Sequence, residues 1–270
     1  MSSTTEQNER HPDGQISTEV RGNIFLIGID RPEKYNGFTP KMFSELADAY
    51  AELENNSELW VGVLFAHGKH FTAGLDLPKF ADAMKNGEAI LPTNGIDPFS
   101  LKPPFRTKPV VAAMNGICYT AAIELMLATE IVVSAKSARY SQLEVGRGVM
   151  AAAGATFRMV ERAGWGNAMK VLLTGYEFNA EEALRYNFIQ EIVDDGEEFN
   201  RALELAEEIA KQAPLAVQAT LQSSRAYYFD SPKAAVDEFI PVMQALANTE
   251  DAAEGVQSFI EKRPPVYKGK

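Results

Sequence analysis

The chain has one cysteine, Cys118, among its 270 residues, which excludes an internal disulfide framework. In its apolar surroundings Cys118 reads as a small core residue rather than a nucleophile. Histidine is scarce too: His11, His67 and His70 are the full set. His67 and His70 stand at i and i+3 without a cysteine or carboxylate cluster beside them. A metal site needs three or four converging ligands, so no metal is expected. Long apolar runs are missing as well. None reaches the roughly 18–20 residues that span a bilayer, so no membrane partner is expected. Residues 1–15 are polar, lack the apolar core of a secretory signal, and read as a disordered lead-in to a cytoplasmic protein. Positive charge is in short supply: 26 Lys and Arg face 37 Asp and Glu, giving a net charge of −11. Phosphate contacts need clustered cations, so a nucleic-acid partner is not expected. A small anion can still be held by backbone amides and a few local cations.

What is present is an ordinary apolar fraction, 46%, in a chain long enough for one sizeable α/β domain with a small appended subdomain. Residues 16–20 and 24–29, joined by Gly22-Asn23, predict a β-hairpin. Pro40 opens a helical pattern with Phe43, Leu46, Ala47, Tyr50 and Leu53 on one face. Residues 60–66, 110–114 and 131–133 are near-continuous apolar runs, as strands buried on both faces require. Strand and helix alternate, which predicts stacked βαβ units. Residues 78–108 are irregular and proline-rich. Their apolar side chains, Phe80, Met84, Ile90, Phe99 and Phe105, predict a pocket wall rather than a plain surface loop. Beyond residue 155 the pattern turns helical, with one short strand expected at 188–193 and amphipathic helices at 200–211, 215–228 and 232–246. The division expected is a core over 16–200 and a helical oligomerisation subdomain with a basic tail over 201–270.

Three segments carry chemistry. Asn115-Gly116-Ile117-Cys118-Tyr119-Thr120-Ala121-Ala122-Ile123-Glu124-Leu125 runs from a strand into a helix through small residues. The helix N-terminus offers unpaired amides, and Glu124 follows one turn inside. Burial among Ile123, Leu125 and Met126 would favour its neutral form. Phe71-Thr72-Ala73-Gly74-Leu75-Asp76-Leu77 brings a second backbone turn at Ala73-Gly74, where a ligand can come close. Ser141-Gln142-Leu143-Glu144-Val145-Gly146 brings a second carboxylate. Two amides aimed at one point make an oxyanion hole. Two carboxyls around one water suit its addition or removal, one as base and one as acid.

Taken together with Asp30 to Asn36, Leu173-Thr174-Gly175 and Phe259 to Arg263, the order and spacing of these motifs resemble the crotonase, or enoyl-CoA hydratase/isomerase, superfamily over nearly the whole chain. The resemblance implies an α/β crotonase-type spiral of repeated ββα units with a C-terminal helical subdomain. It implies that Leu75 and Ala121 supply the oxyanion amides for an acyl-CoA thioester, and that Glu124 and Glu144 are the hydratase pair. It places Asn36, Ala73, Asp76, Leu77 and Pro78 along the CoA. Coenzyme A would arrive on the substrate, so no separate cofactor is expected. A homotrimer or dimer of trimers is implied, with Lys262, Arg263 and Lys268 near a neighbour's CoA or simply in a solvated chain end. The chain departs from the family at Thr120-Ala121-Ala122, where relatives have a glycine run, and at Ala151-Ala152-Ala153, where they often have Pro and Gly. Arg147, close after Glu144, either reads a polar acyl group or pairs with an acid. The leading expectation is reversible hydration of a 2-enoyl-CoA. Double-bond isomerisation or other acyl-CoA enolate chemistry is the alternative, and a non-catalytic CoA-binding or assembly protein the alternative of another class.

Overall fold

Part of the polar N-terminal stretch is tied to the fold. The computed structural model describes residues 11–92 and 95–270. Residues 11–14 are held, because Thr39 Oγ1 donates to Asp13 O at 2.8 Å and Lys41 Nζ to Gly14 O at 2.9 Å. The part of the expected lead-in before residue 11 lies outside the described residues. Strands β1 (Gln15–Arg21) and β2 (Ile24–Asp30) form the antiparallel hairpin, turning through Gly22 at φ 59°.

Helix α1 (Pro40–Asn55) starts where Thr39 Oγ1 accepts the amide of Met42 and Pro40 fills the first turn. Its face of Met42, Phe43, Leu46, Tyr50 and Leu53 is fully buried. The chain then repeats one move: a strand in a large sheet, a short extended piece in a small sheet, and a helix. Strand β3 (Val61–Ala66) is followed by extended residues 71–73 and helix α2 (Ala81–Asn86). Strand β4 (Val110–Met114) is followed by β5 (Ile117–Tyr119) and α3 (Ala121–Leu127). Strand β6 (Ile131–Ala135) is followed by β7 (Arg139–Ser141) and α4 (Ala155–Ala163). Next come α5 (Trp165–Thr174), β8 (Phe178–Asn179), α6 (Ala180–Arg185), β9 (Glu191–Val193) and α7 (Glu198–Ala210). The large sheet runs β1-β2-β3-β4-β6-β9, parallel except for β1; the small one runs β5-β7-β8.

Helix α7 buries Ala202 and Ala206 against Ile24, Val61, Val63 and Val111 of the large sheet. A division between residues 200 and 201 therefore passes through a helix that belongs to the core, and the outer helical layer starts at Pro214. That layer is α8 (Pro214–Phe229), α9 (Pro232–Asp237), α10 (Phe239–Ala247) and α11 (Glu250–Glu261). The continuous helix expected over 232–246 is thus two helices. Pro241 has no N–H and its ring would strike the carbonyl of Asp237, so the chain breaks there and restarts with Pro241 in the first turn of α10. The short strand expected over 188–193 is confined to its last three residues.

A buried ionic cluster ties α8 to the core. Arg106, 1% exposed, donates to Glu130 at 2.8 Å, and Arg225 of α8 donates to Glu130 at 3.0 Å and to the carbonyl of Arg106. The tail after α11 folds back instead of trailing into solvent. Asp251 accepts the amides of Lys268 and Gly269, and Arg263 pairs with Glu254 and Glu261. Cys118 is fully buried, donates to Asn115 O at 3.4 Å, and is pushed well above the ordinary thiol range by burial. Among the described residues no helix is long and apolar enough to cross a membrane.

Candidate active site

Convergence of the three motifs follows from the small sheet. Residue Thr72 lies parallel beside Cys118: its amide donates to Ile117 O at 3.1 Å and its carbonyl accepts Tyr119 N at 3.0 Å. Strand β5 in turn lies parallel to β7, with Tyr119 opposite Ser141, and Thr120 N donates to Ser141 O at 2.9 Å. Three extended pieces thus run side by side and end together. Their carboxyl ends deliver Gly74-Leu75, Thr120-Ala121 and Gln142 to Glu144 to one place, as ligand sites on parallel sheets require.

There the chain encloses a cavity of about 660 Å³ lined by Ala73, Leu75, Ala121, Glu124, Leu143 and Glu144, among others. Residues from 78–108 form much of its wall, including Met84, Ile90 and Phe99. Phe99 and Phe80 pack on Phe43, with ring centroids 5.7 and 5.8 Å away, which anchors the wall to α1. Such pairs contribute about 0.5–1.5 kcal/mol beyond their buried area. Phe105, expected in the wall, is exposed and does not line the cavity.

Two turns pack against each other beside this cavity at unusual dihedrals. Thr120 has φ 51° and ψ −109°, a strained setting for a β-branched residue. Gly74 has φ 99°, and a Cβ there would lie 1.9 Å from Thr120 Oγ1. The threonine that replaces a glycine therefore fills space left by Gly74. Among the described residues, neither the amide of Leu75 nor that of Ala121 donates to a protein acceptor, and both residues border the cavity.

Glu124 is 4% exposed. Its Oε1 accepts the amides of Ala153 at 2.7 Å and Ala155 at 3.2 Å. Burial pushes its carboxyl up to about 7, against those two hydrogen bonds, and the nearby Glu144 adds to the rise. Glu144 opens a one-turn 3-10 stretch, Glu144–Arg147. Its Oε1 accepts from Gln142 Nε2 at 2.9 Å, while Oε2 is buried without a partner among the described residues. Burial raises this carboxyl as well.

Other expected site residues have different work. Asn36 is fully buried: it accepts the amide of Arg31 at 2.7 Å and donates to the carbonyls of His67 and His70 at 2.9 and 2.7 Å. It fixes a turn and does not line the cavity. Asp76 is held by Arg31 Nη1 at 2.8 Å, and neither it nor Pro78 borders the cavity, whereas Ala73 and Leu77 do. His67 hydrogen-bonds Ser17, and His70 Nδ1 accepts Ile117 N. Arg263 is taken up by two acids, and Lys268 lies 3.6 Å from Glu250. Sequence reasoning missed the amides of Ala153 and Ala155, because backbone donors leave no residue signature. It missed Arg158 too, a buried guanidinium that reaches Phe99, Ser100 and Ala153 carbonyls at 2.7, 3.1 and 3.5 Å.

Residues 19–270 match the profile of the enoyl-CoA hydratase/isomerase family. The chain belongs to that family. A crystal structure from Mycobacterium abscessus, described as a "probable enoyl-CoA hydratase/isomerase", superposes on this family member with TM-score 0.92 at 40% identity, covering 94% of this chain and 98% of that one. The (E)-benzylidenesuccinyl-CoA hydratase of Thauera aromatica is 30% identical, covering 94% and 99% of the two chains. The 2,3-dehydroadipyl-CoA hydratase of Escherichia coli is 29% identical, covering 92% and 96%. The crotonase fold expected from the motifs is therefore the fold of this chain, including the ββα repeat.

Proposed function

We propose that this chain adds water reversibly across the C2–C3 double bond of a 2-enoyl-CoA thioester. The observation that carries the reading is one cavity holding two carboxyls raised by burial and two unpaired backbone amides. Relatives named as hydratases of acyl-CoA thioesters support it.

In this reading the thioester oxygen accepts from the amides of Leu75 and Ala121. Negative charge grows on that oxygen as water oxygen bonds to C3, so donors already in place stabilise the transition state. Each is worth about 2.7–4 kcal/mol. Glu124 and Glu144 flank the water. One takes its proton while the other delivers a proton to C2, so the pair begins and ends with one proton between them. Coupling between the carboxyls supports that division, because two buried like charges side by side resist joint ionisation. Coenzyme A comes and leaves with the acyl group, and Ala73 and Leu77 border its path to the cavity. Assembly into a trimer or a dimer of trimers completes the proposal. It is supported by Tyr227, Phe229, Phe239, Ile240, Met243 and Phe259, all exposed on the outer helices.

The test is hydration of crotonyl-CoA, followed by loss of enoyl absorbance. Glu124→Gln and Glu144→Gln should each lower kcat by about 10²–10⁴-fold with little change in CoA affinity. Binding of a panel of enoyl-CoAs without turnover would identify a binding protein instead.

A further inference from the structure

Among the described residues that line the cavity, Arg147 is the one cation. It makes no hydrogen bond or ion pair with any described residue, although two acids are close to hand. Glu144 opens the same 3-10 turn, but its Oε1 is engaged by Gln142 and burial favours its neutral form. Glu88 borders the cavity from the end of α2 and accepts instead from Asn86 Nδ2 at 3.1 Å. Arg147 is itself exposed, and the lining it shares is otherwise largely apolar, with Leu77, Met84, Ile90, Leu91, Val149 and Met150.

Position defines which part of a ligand it meets. Side chains at i and i+3 of a 3-10 helix eclipse, so Arg147 stands above Glu144 on the cavity side, roughly 6 Å further along the helix axis. Glu144 addresses the reacting carbons in the hydratase reading, on which this step rests. The phosphates of coenzyme A lie beyond the thioester, on the other side of those carbons. A group about 6 Å from Glu144 is within reach of an acyl chain a few bonds past C3.

We infer that the acyl group carries a carboxylate at its far end, and that Arg147 is the specificity-determining residue that receives it. A planar guanidinium matches a carboxylate with two parallel hydrogen bonds, which a point charge does not. The intervening methylenes take the apolar wall.

The experiment compares two six-carbon trans-2-enoyl-CoA thioesters, one ending in methyl and one in a carboxylate at C6. The full-length protein is used, with Arg147→Gln and Arg147→Lys beside it. The wild type should favour the carboxylate by about 10-fold or more in kcat/KM, mainly through KM, as a charge-assisted hydrogen-bonded pair implies. In Arg147→Gln that ratio should fall to near one, and Arg147→Lys should keep part of it. Equal use of the two thioesters by the wild type overturns the inference. A preference that survives Arg147→Gln also overturns it, because another group would then be reading the carboxylate. Turnover of neither thioester is a different result: it overturns the hydratase reading itself.

Discussion

Arg158 donates through Nη2 to the carbonyl of Phe99 at 2.7 Å, joining helix α4 to the far wall of the cavity. The same guanidinium reaches the carbonyl of Ala153, whose amide holds Glu124. One buried side chain thus spans the cavity wall and the turn that orients a carboxyl. Gly154 makes room for it, since a Cβ there would lie 2.4 Å from Arg158 Nη1.

Arg158→Leu should lower kcat and raise KM together, because both ends of the span come loose. It should also destabilise the fold, as each buried carbonyl left without a donor costs about 1–3 kcal/mol. Burial is the main reason the Glu124 carboxyl is raised, and Arg158 is among the groups opposing that rise. Its loss should move the Glu124-dependent limb of the kcat/KM pH profile upward. Arg158→Lys should restore the limb more than the stability. An unmoved limb would show that the charge is not felt at Glu124.

Glu124 makes stability depend on pH. Its carboxyl sits at about 7 in the fold against an ordinary 4.5, so the folded state holds the proton more tightly than the unfolded chain. This contribution is complete below pH 4.5 and is lost as pH rises through 7. Relative to Glu124→Gln, the wild type should lose on the order of 3 kcal/mol across that window. Denaturant titrations of both proteins at several pH values measure it, and parallel curves would contradict the assignment.

Gly74→Ala should cripple the enzyme. Its Cβ would overlap Thr120 Oγ1 at a φ of 99°, forcing apart the turns that carry the Leu75 and Ala121 amides. Overpacking of this kind costs about 1–3 kcal/mol, and turnover should fall by at least the amount for one oxyanion donor. Gly166→Ala, in open space on α5, is the control and should stabilise by about 0.5–1 kcal/mol. Full activity in folded Gly74→Ala would exclude the proposed thioester site.

Light scattering at micromolar concentration should report a trimer or hexamer. Ile240→Glu, at a side chain 76% exposed on α10, should shift the population toward smaller species without unfolding the core. A wild-type monomer would count against the assembly.

Much of this architecture was legible from periodicity. Strands β3 and β4 are apolar throughout, and β2 as far as its final Asp30, because both faces are covered, and α1 carries a single buried stripe. The small sheet was harder to read. Strands β5 and β7 have three residues each, too few to show a period, yet they bring Thr120 and Glu144 together. Glu124 and Glu144 could be named from the sequence because acids in apolar stretches stand out. The hydrogen bonds that hold Glu124 could not, since alanine amides look like any others. Asn36 shows the converse: a polar residue in a suggestive motif whose three hydrogen bonds close its own turn and tie it to the carbonyls of His67 and His70.

The buried thiol has a practical side. With Cys118 sealed at 0% exposure and its thiolate strongly disfavoured, the folded protein offers maleimides no accessible native thiol. A cysteine introduced beside the cavity wall, for example Lys85→Cys next to the lining residue Met84, would be the sole accessible thiol. Fluorophores or spin labels can thus follow that wall during turnover with the native sequence otherwise intact.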